Sequence, residues 1–244
     1  MQNKVILITG GAHRVGKAIT LAFADAGAHV IINYHRSAEA AEQTAQEARA
    51  YGVQALPLQA DVSDPQQVAH MIELALERFD RIDVLVNGSS QFTKTPFPVE
   101  QFSDWERVMA IIINGAVYCS NAVAPLMQVQ QSGAIINIID LSVWQPWKNF
   151  TAHAIGKSGL LALTRQLALE LAPTIRVNAV APGPVLAPPH YTTEQKERIA
   201  QRTLLQRWGQ AEDVASAVLF LAQASYITGE TIAVDGGERL VRKA

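Results

Sequence analysis

Short apolar runs rich in β-branched residues alternate along the chain with longer stretches in which apolar positions recur every three or four residues. The first run, Val5-Ile6-Leu7-Ile8, suits a strand buried on both faces. Past Thr9-Gly10-Gly11 the spacing changes, and Val15, Ile19, Leu21 and Phe23 mark the buried face of a helix. The alternation continues with a strand over Ala28–Asn33, a helix over Ala38–Tyr51 closed by Gly52, and an edge-compatible strand over Ala55–Gln59. Ser63-Asp64-Pro65-Gln66 starts a helix that runs to about Phe79, and Val84–Val86 is a fourth strand. A long apolar helix is expected from about Ser103 to Met127, then a strand over Ala134–Ile139 and a helix over Thr151–Ala172. Strands Ile175–Ala181 and Thr231–Val234 flank a helix over Glu212–Gln223. Pro182-Gly183-Pro184 opens a flexible connection through Pro188, Pro189 and Tyr191, long enough to serve as a lid. The pattern predicts one α/β domain, a doubly wound, seven-stranded, mainly parallel sheet with helices on both faces.

In such a sheet, ligands collect at the carboxyl ends of the strands. Gly10, Gly11 and Gly16 lie between the first strand and its helix, where backbone amides and the helix dipole favour a phosphate. Past the second strand comes Tyr34-His35-Arg36-Ser37, with no carboxylate to repel a 2′-phosphate and an arginine able to bind one, which points to NADP(H). The fourth strand stops at Asn87-Gly88-Ser89-Ser90 and the fifth at Asp140-Leu141-Ser142. The loop after the fifth carries Trp144, Pro146, Trp147 and Phe150, rings suited to lining a flat pocket. His153 and Lys157 share one face of the next helix, and Asn114 stands in an apolar stretch where burial would require hydrogen bonds.

The 244 residues, 49% of them hydrophobic, are enough for one large core. A formal net charge of -2 without a long basic run gives no reason to expect nucleic acid or an anionic membrane as partner. Cys119 is the single cysteine, so no internal disulfide can form, and a buried helical position is expected for it. The first strand begins within a few residues of Met1 and no apolar run approaches a spanning helix, so a cytoplasmic location is expected. No metal-ligand pattern is present.

These motifs, in this order and over nearly the whole chain, resemble the short-chain dehydrogenase/reductase family. Thr9-Gly10 with Gly16 is similar to its glycine turn, Asp61-Val62 to its adenine-side motif, and Asn87 to its N-N-A-G turn. Asn114 resembles its structural-catalytic Asn, Lys157 heads K-S-G-L-L-A-L-T-R, and Arg176-Val177-Asn178 leads to Pro182-Gly183. Val234-Asp235-Gly236-Gly237 resembles the closing strand. Within the family, the features resemble pteridine-reductase-like members: Arg14 at the middle glycine, the His35-Arg36-Ser37 clamp, Asn87 to Phe92, and Asp140 at the catalytic Ser position. The resemblance implies NADP(H) held by Gly10, Arg14, Val15, Gly16, His35, Arg36, Ser37, Asp61, Val62, Asn87, Gly88, Ser89, Lys157, Pro182 and Gly183. It places Ser90, Phe92 and Trp144 at a small-molecule substrate. It also implies a homotetramer built on the two long apolar helices, with Asn114 and His153 behind that interface and facing the site.

One departure stands out. Counting back from Lys157, His153 occupies the tyrosine of the Y-x-x-x-K signature, thirteen residues past Asp140, and no other tyrosine lies in that helix. Carbonyl reduction needs an acid at oxygen, a role worth roughly 100- to 10,000-fold. Reduction of a C=N bond can instead draw on a carboxylic acid, and a buried Asp140 beside rings such as Trp144 is expected to have a raised pKa. Three readings follow: reduction of a pterin-like planar substrate with Asp140 as donor or water-holder, His153 as auxiliary acid and Lys157 at the ribose; an NADP(H)-binding protein of little turnover; or a carbonyl or 3-oxoacyl reductase using His153 as acid. Tyr191 is a further candidate donor, reaching in from the connection.

Overall fold

The computed structural model describes residues 1–188 and 191–241, so Pro189 of the connection lies outside the described residues. Seven parallel strands run β1 (Val5–Thr9), β2 (His29–Tyr34), β3 (Ala55–Gln59), β4 (Val84–Asn87), β5 (Gly133–Ile138), β6 (Ile175–Pro182) and β7 (Thr231–Val234). Their order across the sheet is β3-β2-β1-β4-β5-β6-β7, which reverses between β1 and β4 as the sequence pattern predicts. β1 is buried along its whole length, and Pro57 is tolerated in β3 because that strand is an edge.

The helices are α1 (Arg14–Asp25), α2 (Ala38–Arg49), α3 (Pro65–Phe79), α4 (Phe102–Met109), α5 (Gly115–Val129), α6 (Thr151–Glu170), α7 (Thr193–Ala200) and α8 (Ala211–Gln223). One core layer packs α1, α2 and α8 residues such as Ile19, Phe23, Ala45 and Val218 on one face of the sheet. The other packs α3 and α5 residues such as Met71, Cys119 and Met127 on the opposite face. Cys119 is therefore an interior residue, and burial pushes its thiol pKa up to about 12.

Three expectations are revised. The long apolar helix is continuous from Phe102 to Val129 but widens into a π-helical turn at Ala110–Asn114. It is 28 residues long and holds an 18-residue window with a mean hydropathy of 1.5, so by length and composition it could cross a membrane, contrary to the reading that no run approaches that length. Cys119, Val123 and Met127 nevertheless seat one of its faces on the sheet. The flexible connection, finally, contains α7, whose Thr192 accepts from Gln195 N while Gln195 Oε1 accepts from Thr192 N. That T-x-x-Q capping box was readable as a helix start.

Candidate active site

β1, β4, β5 and β6 all end on one edge of the molecule, and the turns that follow them build a groove there. A cavity of about 670 Å³ is lined by Gly10, Asn33, His35, Arg36, Ser37, Asp61, Val62, Gly88, Ser89, Ser90 and Arg107, among others. Gly10 has φ +66, and a Cβ on Gly16 would sit 2.1 Å from Gly10 O, so the turn closes only with glycine. Arg14 takes φ +49, the left-handed conformation that glycine adopts without strain. Its guanidinium donates to Leu186 O at 2.6 Å, so Arg14 ties the turn to the segment after β6. Val15 is half-buried against the core.

At the far end of the groove His35, Arg36 and Ser37 stand together. Asp61 accepts from the Ser63 hydroxyl at 2.7 Å and pairs with Arg107 at 2.8 Å, with His35 3.6 Å away. Burial would raise the Asp61 pKa, but the Ser63 and Arg107 contacts outweigh it and the net shift is downward. Arg107 was not foreseen. It looks like an ordinary surface residue of α4, and nothing in its sequence neighbourhood pairs it with Asp61.

Thr9 Oγ1 accepts from the amides of Gly88 and Ser89 at 3.0 and 3.1 Å, locking the end of β4 to β1. Asn87 donates to Ser120 and Asn137, while its own Oδ1 is buried without a hydrogen-bond partner among the described residues. Gly183, following Pro182 at the end of β6, lies so close to the β7 turn that a Cβ would come within 2.7 Å of Asp235 Cα.

A second group of the candidate site residues lies between β5 and α6. His153 Nε2 is 2.6 Å from Asp140 Oδ2, and His153 Nδ1 is 3.3 Å from Gln91 O. The other carboxylate oxygen of Asp140 accepts from Ser142 N at 2.9 Å and from Ser142 Oγ at 2.5 Å. Lys157 Nζ donates to Ile138 O at 2.7 Å. His153 and Lys157 are each 3% exposed. The expected raised pKa of Asp140 is corrected here. Burial does raise it, but the His153 hydrogen bond, the charges of Lys157 and His153, and Ser142 together hold it below the ordinary carboxylate range. Burial lowers the Lys157 pKa, and the charge of Asp140 offsets part of that.

An aromatic cluster covers this pair. Phe92 stacks on Phe150 with centroids 4.2 Å apart and meets His153 edge-on at 5.0 Å, while Trp147 lies parallel to His153 at 5.9 Å. Trp147, not Trp144, thus joins Phe92 over the histidine; Trp144 carries the Arg239 guanidinium 5.5 Å above its ring. Asn114 is not brought to the site: it is exposed at the end of the π-helical turn, and Ile112 is the residue of that turn packed near Gly156 of α6. Sequence alone could not reveal this, because the π turn shifts which residues face inward. Tyr191 meets Trp208 edge-on with centroids 6.5 Å apart.

Residues 10–238 match the family model described as enoyl-(acyl carrier protein) reductase. A 3-oxoacyl-[acyl-carrier-protein] reductase of Synechocystis sp. (strain ATCC 27184 / PCC 6803 / Kazusa) is 38% identical, with 96% of each chain covered. Among solved structures, a putative short-chain alcohol dehydrogenase from Sinorhizobium meliloti 1021 superposes with a TM-score of 0.93 at 31% identity, covering 99% of this chain and 98% of that one. FolM alternative dihydrofolate reductase 1 from Brucella suis, in complex with NADP, gives 0.92 at 34% identity, covering 99% and 97%. With this fold, glycine turn and K-S-G helix, the chain belongs to the short-chain dehydrogenase/reductase family and is an oxidoreductase.

Proposed function

We propose that the protein is an NADPH-dependent reductase of a pterin-like planar substrate, in which the Asp140–His153 pair takes the place of the family's hydroxyl acid. The 2.6 Å contact between Nε2 and Oδ2, buried beneath Phe92 and Trp147 at the end of the groove, is the observation that carries the reading. The residues fit a nicotinamide dinucleotide. Gly10 and Gly16 let the turn close tightly at the start of α1, where a pyrophosphate would meet the helix amino end, and Arg36, His35 and Ser37 cluster where an adenine ribose 2′-phosphate would lie. The NADP complex of the Brucella relative supports the choice of cofactor.

NADPH would supply the hydride. Lys157 would hold the nicotinamide ribose, and Phe92 would present a flat face to the substrate. The proton for the ring nitrogen comes from the pair. Gln91 O can only accept, so Nδ1 carries a hydrogen, and the proton between Nε2 and Oδ2 is the mobile one. The His153 hydrogen bond, the Lys157 charge and Ser142 hold Asp140 below the ordinary carboxylate range, and the proton shared between Nε2 and Oδ2 passes to the substrate along Oδ2 or through one water. After transfer the pair is left one proton short and is refilled from solvent.

The Synechocystis relative favours a second reading, reduction of a 3-oxoacyl carbonyl with His153 as acid. NADPH-oxidation assays with dihydropterins, quinones and 3-oxoacyl substrates, run beside NADPH titration by fluorescence, decide among these readings. Turnover of dihydropterin supports the first, and turnover of the 3-oxoacyl substrate alone the second. NADPH binding with no turnover would leave a binding protein. We further propose a homotetramer, supported by the outward apolar residues of the two long helices, Val117 and Val129 on α5 and Ile155 and Leu169 on α6.

A further inference from the structure

The loop after β4 is stitched to the start of α6 through Thr95. Thr95 N donates to Asn149 O at 2.8 Å, Thr151 N donates to Thr95 O at 3.2 Å, and Ala152 N donates to Thr95 Oγ1 at 2.9 Å. Thr95 and Phe150 form a parallel bridge, and this junction sets Phe92 against Phe150 and Trp147. Two cations belong to the segments this junction joins. Lys94 precedes Thr95 and Lys148 follows Trp147; both are exposed, and neither has an ion pair or hydrogen bond among the described residues. Lys148 also stands three residues before the first residue of α6, a 20-residue helix whose amino end adds positive potential to the rim. Elsewhere on the groove Arg107 is paired with Asp61, and Arg36 stands at the opposite end with His35 and Ser37.

We infer that the substrate of this site carries an anionic tail, a carboxylate or phosphate, which leaves the aromatic cluster between Lys94 and Lys148. The inference rests on the reading of the site as one for a planar ring. A ring under Phe92 directs its substituents outward to the rim, where the unpaired lysines meet them. Lysine acts there as a point charge and accepts either anion.

The test compares Kd and NADPH-oxidation rate for three compounds: 6-methyl-7,8-dihydropterin without a tail, 7,8-dihydrofolate with carboxylates, and 7,8-dihydroneopterin triphosphate with phosphates. Tailed compounds should bind about 10-fold more tightly than the untailed one at low salt, from two exposed charge contacts each contributing a few-fold. The advantage should shrink as ionic strength rises. K94Q/K148Q should remove it through Kd and KM, leaving kcat and all constants of the untailed compound unchanged. The anion that gains more identifies the tail. Equal Kd values for all three compounds, or a tail advantage that survives in K94Q/K148Q, overturn the inference alone. Tighter binding of tailed compounds without turnover overturns the reductase reading and keeps the inference. If none of the three binds, both fall.

Discussion

The buried pair is the feature most open to attack by mutation. His153→Ala removes the ring that contacts Oδ2 and leaves Asp140 with Ser142 and the Lys157 charge, so the carboxylate survives but its mobile proton does not. Asp140→Asn keeps the shape yet cannot accept a proton at Oδ2, and it ends the relay from the other side. A positioned acid contributes roughly 100- to 10,000-fold, equivalent to about 2.7 to 5.4 kcal/mol of barrier at 1.36 kcal/mol per tenfold. Each single variant should therefore lose dihydropterin turnover by at least about 100-fold. Because the two side chains act on one proton, the double variant should be scarcely worse than either single, a coupling of at least about 2 kcal/mol in a double-mutant cycle. The assay is single-turnover NADPH oxidation at saturating cofactor, with NADPH affinity measured on every variant so that a folding or binding defect is not counted as chemistry. His153→Ala within about threefold of the parent, at unchanged NADPH affinity, would refute the proton assignment. Additive losses would refute the shared proton while leaving each residue important.

Other outcomes follow from the same geometry. NADPH should bind about 10- to 100-fold more tightly than NADH, and Arg36→Ala should narrow that gap, as one charge-assisted contact is worth about 1.5 to 3 kcal/mol; equal affinities in the parent would remove the argument for NADP(H). His153→Tyr restores the family residue and should raise ketone reduction by about 100-fold if the carbonyl reading is right, and leave it negligible otherwise. Asp83 is 5% exposed and accepts from Val5 N, Lys4 and Arg81; burial raises its pKa, but these contacts bring it below the ordinary range. Its contribution to stability is thus complete above about pH 4 and is lost as pH falls through the depressed folded value, so Asp83→Asn should cost about 2 to 4 kcal/mol in urea unfolding near pH 7 and progressively less as pH falls into the acid range. Light scattering should report a tetramer at micromolar concentration, and a monodisperse monomer would contradict that assembly.

Much of this molecule is written locally. The run Val5-Ile6-Leu7-Ile8, the glycines that follow and the three-four spacing after them fix strand, turn and helix, because each depends on neighbours in the chain. The same holds for the start of α3, where Asp64 accepts from Gln66 N and Gln67 N as its S-D-P-Q sequence suggests. His153 and Lys157 were legible as one face of a helix, and Asp140 as the end of a strand, since helix period and strand length do not depend on tertiary context. What depends on long-range contact was not legible. The pairing of Arg107 with Asp61, the exchange of Trp144 for Trp147 over the histidine, and the outward turn of Asn114 in a π-helical segment each follow from how distant elements pack. The charge on Asp140 shows the difference most plainly. Burial beside rings, visible in the sequence, argues for a raised pKa; three hydrogen bonds and a buried lysine, supplied only by the folded chain, reverse the sign.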